Sequence, residues 1–215
     1  MILLIYGSGG FGREVHDLAK RINNKEKLWS EISFIDDVRK ENNLNGIRVY
    51  KFEEILSLKD VECIVALGEP VSREKLYNRL KQNNLKIATL VDPTAIVSDF
   101  SVIEEGCIIS AFSLIANSAY IKANSVIQAF TNIGHDVVVG RHSVISSGVF
   151  PGGGSIFEDK VYVGLGAVIK EKLRIGTNSI VGMGSCVFSD VPSDMIVLGN
   201  PARVIRRNED NKIFR

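Results

Sequence analysis

Residues 121–156 read IKANSV IQAFTN IGHDVV VGRHSV ISSGVF PGGGSI when cut into sixes. The same register runs without an insertion from Val97 to Pro192, sixteen hexads in all. Ile or Val opens fourteen of them, the exceptions being Pro151 and Phe157. The fifth position is mostly small, as at Ser101, Cys107, Ser113, Ala119, Ser125 and Thr131. A period of six is the signature of a parallel β-helix, in which each hexad supplies one short strand and a corner. Three hexads then close a triangular turn, so residues 18 apart stack on one another. The branched first residue points inward and the small fifth residue lets the corner pack. Ile and Val are common in this chain, but composition alone does not place fourteen of them in one phase.

Residues 1–91 follow a different grammar. Strand-like runs at 2–6, 32–36, 61–68 and 86–91 alternate with helix-like runs at 11–22, 52–56 and 72–82. That alternation predicts a small parallel sheet with helices on its faces. The expected fold is therefore an α/β Rossmann-like domain over 1–91. An all-β left-handed parallel β-helix with a short C-terminal tail follows over 92–215. Lys plus Arg number 26 and Asp plus Glu 25, a net charge of +1, which gives no electrostatic case for nucleic acid or a membrane surface. Cys63, Cys107 and Cys186 are odd in number and lack CxxC spacing, as expected of free thiols in a reducing cytoplasm. The apolar start MILLIY is too short for a signal peptide or a membrane span. A cytoplasmic protein without membrane insertion is expected.

Two segments carry chemistry. GSGGFG (7–12) satisfies GxGxxG between a strand and a helix, where a tight turn and a helix N-terminus favour a phosphate. Asp36 and Asp37 follow the second strand, where a carboxylate can accept from a ribose or base. With only about 90 residues before the coil and no hydride-transfer domain, a nucleotide or nucleotide-sugar site is the better reading than a dehydrogenase. In the coil, His135 is the third residue of its hexad and precedes Asp136. Gly153 stacks above it and Asn117 below. A bare glycine beside an imidazole leaves room for a ligand and exposes backbone N–H groups. An imidazole titrates near neutrality and can take the proton of an attacking amine or hydroxyl. The Gly153 N–H is a candidate oxyanion donor. One geometric obstacle stands: adjacent residues on an ideal strand face opposite ways, so a His135–Asp136 contact needs corner geometry or a neighbouring chain. His142 occupies a different hexad position and His16 the first helix, where it is expected to be solvated. No three histidines converge, so no metal site is expected.

IYGSGGFGREV, FIDD and VALGEP ahead of a hexapeptide coil resemble the PglD/NeuD family of sugar acyltransferases. The resemblance spans nearly the whole chain. It implies acetyl-CoA-dependent acetyl transfer to a nucleotide-linked sugar, with His135 as general base and Asp136 raising its basicity. It places substrate contacts at Gly9, Gly10, Phe11, Asp36, Asp37 and Gly68, with Phe11 standing where well-studied members have His. It places acetyl-CoA near Leu165 and Met183, and at Val144 where another contacting histidine of the family falls, while the stacking of Gly153 on His135 marks where the thioester is expected to lie. Arg203, Arg206 and Arg207 are either CoA phosphate contacts or a solvated basic tail. A homotrimer with its active site between adjacent coils is also implied.

The expected activity is N-acetylation of a UDP- or dTDP-linked 4-amino-4,6-dideoxy sugar in glycan biosynthesis. O-acetylation of sialic acid or another capsular sugar is the first alternative. A non-catalytic, nucleotide-sugar-binding trimeric scaffold is the second.

Overall fold

The computed structural model describes residues 1–209, 212 and 213. The first part contains β1 (Ile2–Tyr6), α1 (Gly10–Glu26), β2 (Glu31–Ile35), β3 (Asn43–Leu44), β4 (Ile47–Tyr50) and α2 (Phe52–Ile55). It continues through β5 (Val61–Val65), α3 (Pro70–Gln82) and β6 (Lys86–Ile87). The sheet order is β3-β4-β2-β1-β5-β6, and β1 pairs in parallel with both β2 and β5. The sheet is covered on both sides. Leu3, Ile5, Phe34 and Ile64 pack under Val15, Leu18, Ala19 and Ile22 of α1. Leu4, Ile35, Cys63 and Val65 pack against Phe52, Ile55, Tyr77 and Leu80. Both faces being apolar explains why these strands read as continuous hydrophobic runs.

Two local expectations change. The β3–β4 hairpin turns on Asn45 and Gly46, both at positive φ, and the Asn-Gly pair is its sequence signal. The strand expected over 86–91 is divided. Lys86–Ile87 pairs with β5, whereas Leu90–Val91 (β7) already pairs with Ile108–Ile109 of the coil.

From Leu90 onward the chain is a parallel β-helix of two-residue strands. Partners lie 18 residues apart, as in Ile108 with Val126, Val126 with Val144, and Val144 with Tyr162. The hexad-opening residues line the interior: Ile109, Ile115, Ile121, Ile127, Ile133, Val139, Ile145, Phe157 and their successors form one buried cluster. Every sixth residue from Gly106 to Gly184, the fourth of each hexad, has positive φ and makes the corner. The small fifth residue has a second reason beyond size. Buried Ser113, Ser125, Thr131, Ser143 and Ser155 each donate a hydroxyl to the carbonyl fifteen residues on, satisfying the corner of the next coil.

The coil has three flanks and three vertices. The first flank carries Leu90–Val91, Ile108–Ile109, Val126–Ile127 and Val144–Ile145, and helix α1 packs on it: Val15, Leu18, Leu90, Ile108, Val126 and Val144 share one buried cluster. Arg21 of α1 pairs with buried Asp92 at 2.7 Å across this seam. Following the chain, the vertex after the first flank carries Ala111, Ala129, Ser147, Leu165 and Met183. The next carries Asn117, His135, Gly153 and Glu171. Among the described residues no helix is long and apolar enough to cross a membrane.

Candidate active site

His135 and Asp136 are the two turn residues after the strand Asn132–Ile133. Asp136 takes the left-handed corner conformation, φ 59°, which turns its side chain back beside its neighbour. The carboxylate Oδ2 lies 2.7 Å from His135 Nδ1. Corner geometry therefore removes the obstacle that an ideal strand would impose. Paired to a carboxylate, Nδ1 carries the proton and Nε2 keeps its lone pair. The His135 side chain is 72 % exposed, so Nε2 is open to a reactant. The Asp136 N–H donates to Asn117 O, and the His135 carbonyl accepts from the Gly154 N–H, so the coils below and above hold the turn.

The glycine run has a more specific purpose than open space. A Cβ on Gly153 would lie 2.5 Å from both Cε1 and Nε2 of His135. The imidazole itself fills the room that Gly153 provides, which corrects the expectation of a vacant column. Gly152 is required by the next coil, since its Cβ would stand 2.5 Å from Glu171 N. Gly154 is the corner residue at φ 69°. The Gly153 N–H has no hydrogen-bond acceptor among the described residues.

Leu165 and Met183 are exposed, stacked on the vertex that also carries Ser147. A full flank of the coil, six residues and thus at most ~20 Å of extended backbone, separates that vertex from His135. One chain does not bring the two groups together. Val144 is a clear correction: it is 1 % exposed, sealed beneath α1 in the seam between the two parts of the chain. It does not face a cofactor groove.

In the first domain, the loops after β1 and β5 meet where the chain order reverses, the place where open α/β sheets take ligands. The glycines of 7–12 divide by purpose. A Cβ on Gly12 would stand 2.0 Å from Gly7 O, so fold alone demands Gly12. Gly9 and Gly10 are exposed with nothing within 4 Å of an added Cβ. They leave the helix N-terminus bare for an approaching anion. Gly68 is half-buried in the loop after β5. Phe11, also half-buried, lines a cleft of about 220 Å³ with Glu14, Leu18, Gln128 and Ser147. On the coil side that cleft is bounded by Ala111, Ala129 and Ser147, on the vertex that further along carries Leu165 and Met183.

Asp36 and Asp37 serve the fold more than the sequence suggests. Asp36 Oδ2 accepts from the Ser8 N–H and hydroxyl, and Oδ1 from the Val38 and Arg39 N–H groups. Those four bonds use its acceptor sites, so this carboxylate organises the turn and does not take a ribose hydroxyl. Burial pushes its pKa up, but the bonds from Ser8, Arg39 and Val38 outweigh it and hold the group below its ordinary value. Asp37 accepts from the Phe52 N–H, Tyr6 and Arg79 and is held low against the same burial. Part of it stays exposed.

His16 is another correction. It is 9 % exposed against Phe34, and burial lowers its pKa. His142 is buried on the third vertex, facing Asn124. Arg203, Arg206 and Arg207 are exposed on the last strand, Ala202–Arg207, with Arg207 3.9 Å from Asp194. No group of three or more His, Cys, Asp or Glu among the described residues is placed to hold a metal ion.

The family model of the PglD N-terminal domain matches residues 2–80. WeeI from Acinetobacter baumannii AYE is 30 % identical, with 95 % of this chain and 100 % of that chain covered at a TM-score of 0.86. The chain belongs to the PglD/NeuD family of sugar acetyltransferases. The acetyltransferase domain of PglB from Neisseria gonorrhoeae FA1090 is 26 % identical over 95 % of this chain and 99 % of that one, at a TM-score of 0.88. PerB from Caulobacter crescentus, solved with CoA and GDP-perosamine, is 22 % identical over 95 % and 97 %, at a TM-score of 0.87, and shows the shared fold. This family member is an acyltransferase built from an N-terminal α/β domain and a parallel β-helix. The sequence motifs missed the cleft residues Glu14, Gln128 and Ser147. Their proximity is a product of docking α1 on the coil, which no local spacing records.

Proposed function

We propose that the protein transfers the acetyl group of acetyl-CoA to the amine of a UDP- or dTDP-linked 4-amino-4,6-dideoxy sugar. The observation that carries this reading is the exposed imidazole of His135, paired to Asp136 through Nδ1 and seated over Gly153 with Nε2 free. As the sugar nitrogen attacks the thioester carbonyl, Nε2 accepts its proton. Asp136 stabilises the imidazolium that forms. The Gly153 N–H, which has no acceptor among the described residues, donates to the tetrahedral oxyanion. When the intermediate collapses, the C–S bond breaks and the imidazolium returns the proton to the leaving thiolate. The products are an amide and CoA. General-base assistance of this kind is worth roughly 10²–10⁴-fold in rate.

The acyl donor is supported by the PglB acetyltransferase domain solved with acetyl coenzyme A, 25 % identical over 95 % of this chain at a TM-score of 0.67. The nucleotide sits at Gly9, Gly10 and Gly68, with Asp37 at the edge of the crevice. The sugar extends into the cleft lined by Phe11, Gln128 and Ser147. Acetyl-CoA follows the vertex of Leu165 and Met183. Because His135 stands on a different vertex, a complete site needs the coils of two adjoining copies, and a homotrimer meets that need. The flank between these vertices supports it: Ile96, Phe150 and Val168 are exposed on it, and Phe112 and Phe130, stacked at 5.2 Å, are exposed at the corner that leads into it. Incubation with acetyl-CoA and a panel of UDP-, dTDP- and GDP-linked 4-amino sugars tests the reading. Amide formation with a UDP or dTDP substrate is expected; transfer only to hydroxyl acceptors overturns it.

A further inference from the structure

Among the described residues, Arg73, on the first turns of α3, is the largest side chain that is completely buried. No carboxylate pairs with it among the described residues. All five of its N–H groups are instead spent on oxygens of uncharged groups. Nη1 donates to Val65 O at 2.8 Å and Leu67 O at 2.9 Å. Nη2 donates to Asn124 O and Asn124 Oδ1, both at 2.9 Å, and Nε donates to Asn124 O at 3.1 Å. One half of the guanidinium therefore holds the loop after β5, and the other half holds a corner of the coil.

The polarity of the network is fixed. A guanidinium only donates, so the Asn124 amide must present its oxygen to Arg73 and its NH₂ to His142. The latter contact is 2.9 Å to Nδ1, which makes Nδ1 an acceptor and leaves the proton on Nε2. Nε2 faces Glu74 of α3 at 4.0 Å, and Glu74 also holds Lys160 of the next coil at 3.2 Å. The loop that Arg73 grips touches the glycine turn directly: the Ala66 N–H donates to Tyr6 O, and a Cβ on Gly7 would stand 2.8 Å from Ala66 O.

Burying a cation without a counter-charge is a poor route to stability, because well-packed apolar residues commonly serve as well or better. Burial indeed lowers the Arg73 guanidinium to about 9. What the planar fork supplies is registration. It fixes the distance between two surfaces by five directed bonds, which neither an apolar residue nor the three donors of a lysine can reproduce.

We propose that Arg73 is a positioning residue that locks the substrate loop 65–68 onto the coil, and so sets where the nucleotide-linked sugar lies relative to the acyl-transfer machinery. This rests on the reading that the crevice beside Gly9, Gly10 and Gly68 holds the nucleotide.

The test uses the full-length protein with Arg73→Met, Arg73→Lys and Asn124→Gly, the last keeping a residue suited to the left-handed corner at position 124. Hydrogen–deuterium exchange is read over 65–69 and over the coil strands 126–127 and 144–145. KM is measured separately for the nucleotide sugar and for acetyl-CoA. Faster exchange confined to the loop is expected in Arg73→Met, with KM for the sugar raised about 10-fold and kcat and the acetyl-CoA KM within about twofold. Arg73→Lys and Asn124→Gly fall between this variant and the wild type. Loop exchange identical to wild type overturns the proposal, as does loosening spread evenly over loop and coil. If Arg73→Met does not fold, the two milder variants carry the same comparison. A wild type that acetylates no nucleotide sugar defeats the functional reading instead, while the exchange data still decide what Arg73 does.

Discussion

Gly153→Ala isolates the geometry of the catalytic imidazole. Gly153 does not have a positive φ, so the substitution acts through its Cβ alone. That atom would lie 2.5 Å from Cε1, 2.5 Å from Nε2 and 3.0 Å from Cδ2 of His135. Ordinary carbon contacts are about 3.5–4.0 Å, so the ring must retreat by ~1 Å. The backbone of residue 153 is held in the coil, where its carbonyl accepts from Lys172 N. The exposed ring moves, at a folding cost of about 0.5–1.5 kcal/mol for an off-rotamer side chain. That is a small part of the ~5–15 kcal/mol typical of a folded protein. Catalysis is less forgiving: a 1 Å misplacement of a reacting group costs ~10²-fold, or about 2.7 kcal/mol in the barrier. Release of CoA thiol at saturating acetyl-CoA and sugar should therefore fall ~10²-fold in Gly153→Ala. Thermal unfolding should shift by only a few degrees. In a His135→Ala background the same change should do almost nothing, since the group it displaces is gone. A Gly153→Ala rate within about threefold of wild type, or a full additional loss on top of His135→Ala, would refute the placement of the ring.

Other outcomes follow from the same structure. Gly9→Ala should fold with unchanged stability, having nothing within 4 Å, yet raise the KM for the nucleotide sugar. Gly12→Ala, whose Cβ would meet Gly7 O at 2.0 Å, should destabilise the first domain by more than 1 kcal/mol in denaturant titrations. Phe157→Ala, which empties the largest inward position of the coil, should cost about 3–5 kcal/mol in the same assay. His16 and His142 are both held below the ordinary 6.5 by burial, so the unfolded chain binds more protons than the folded one between their folded values and 6.5. Stability should thus decline as pH falls through that window and be insensitive to these two groups above it. Denaturation midpoints that stay flat or rise on acidification to about pH 5 would contradict their burial as neutral rings.

The coil was legible because its inward Ile and Val repeat in one phase, and that phase also fixed His135 over Gly153. The corners were less so. Phe112, Phe130, His142 and Lys160 occupy left-handed positions normally associated with Gly or Asn, so composition does not mark the fourth residue of the hexad. The resemblance placed Val144 at a cofactor contact, but which flank α1 covers is a tertiary fact, and that flank is the one carrying Val144. Asp36 failed as a free acceptor for a similar reason: its four donors come from Ser8 of the first turn and from its own loop. No local spacing sets Arg73 apart from the other arginine of its helix, Arg79. Only the docking of α3 against Asn124 buries Arg73.

The most direct measurement is the turnover of the His135→Ala enzyme beside wild type, with both substrates saturating and amide product quantified. The account predicts a fall of about 10²–10⁴-fold in kcat with binding of both substrates retained. Turnover within a few-fold of wild type would contradict it.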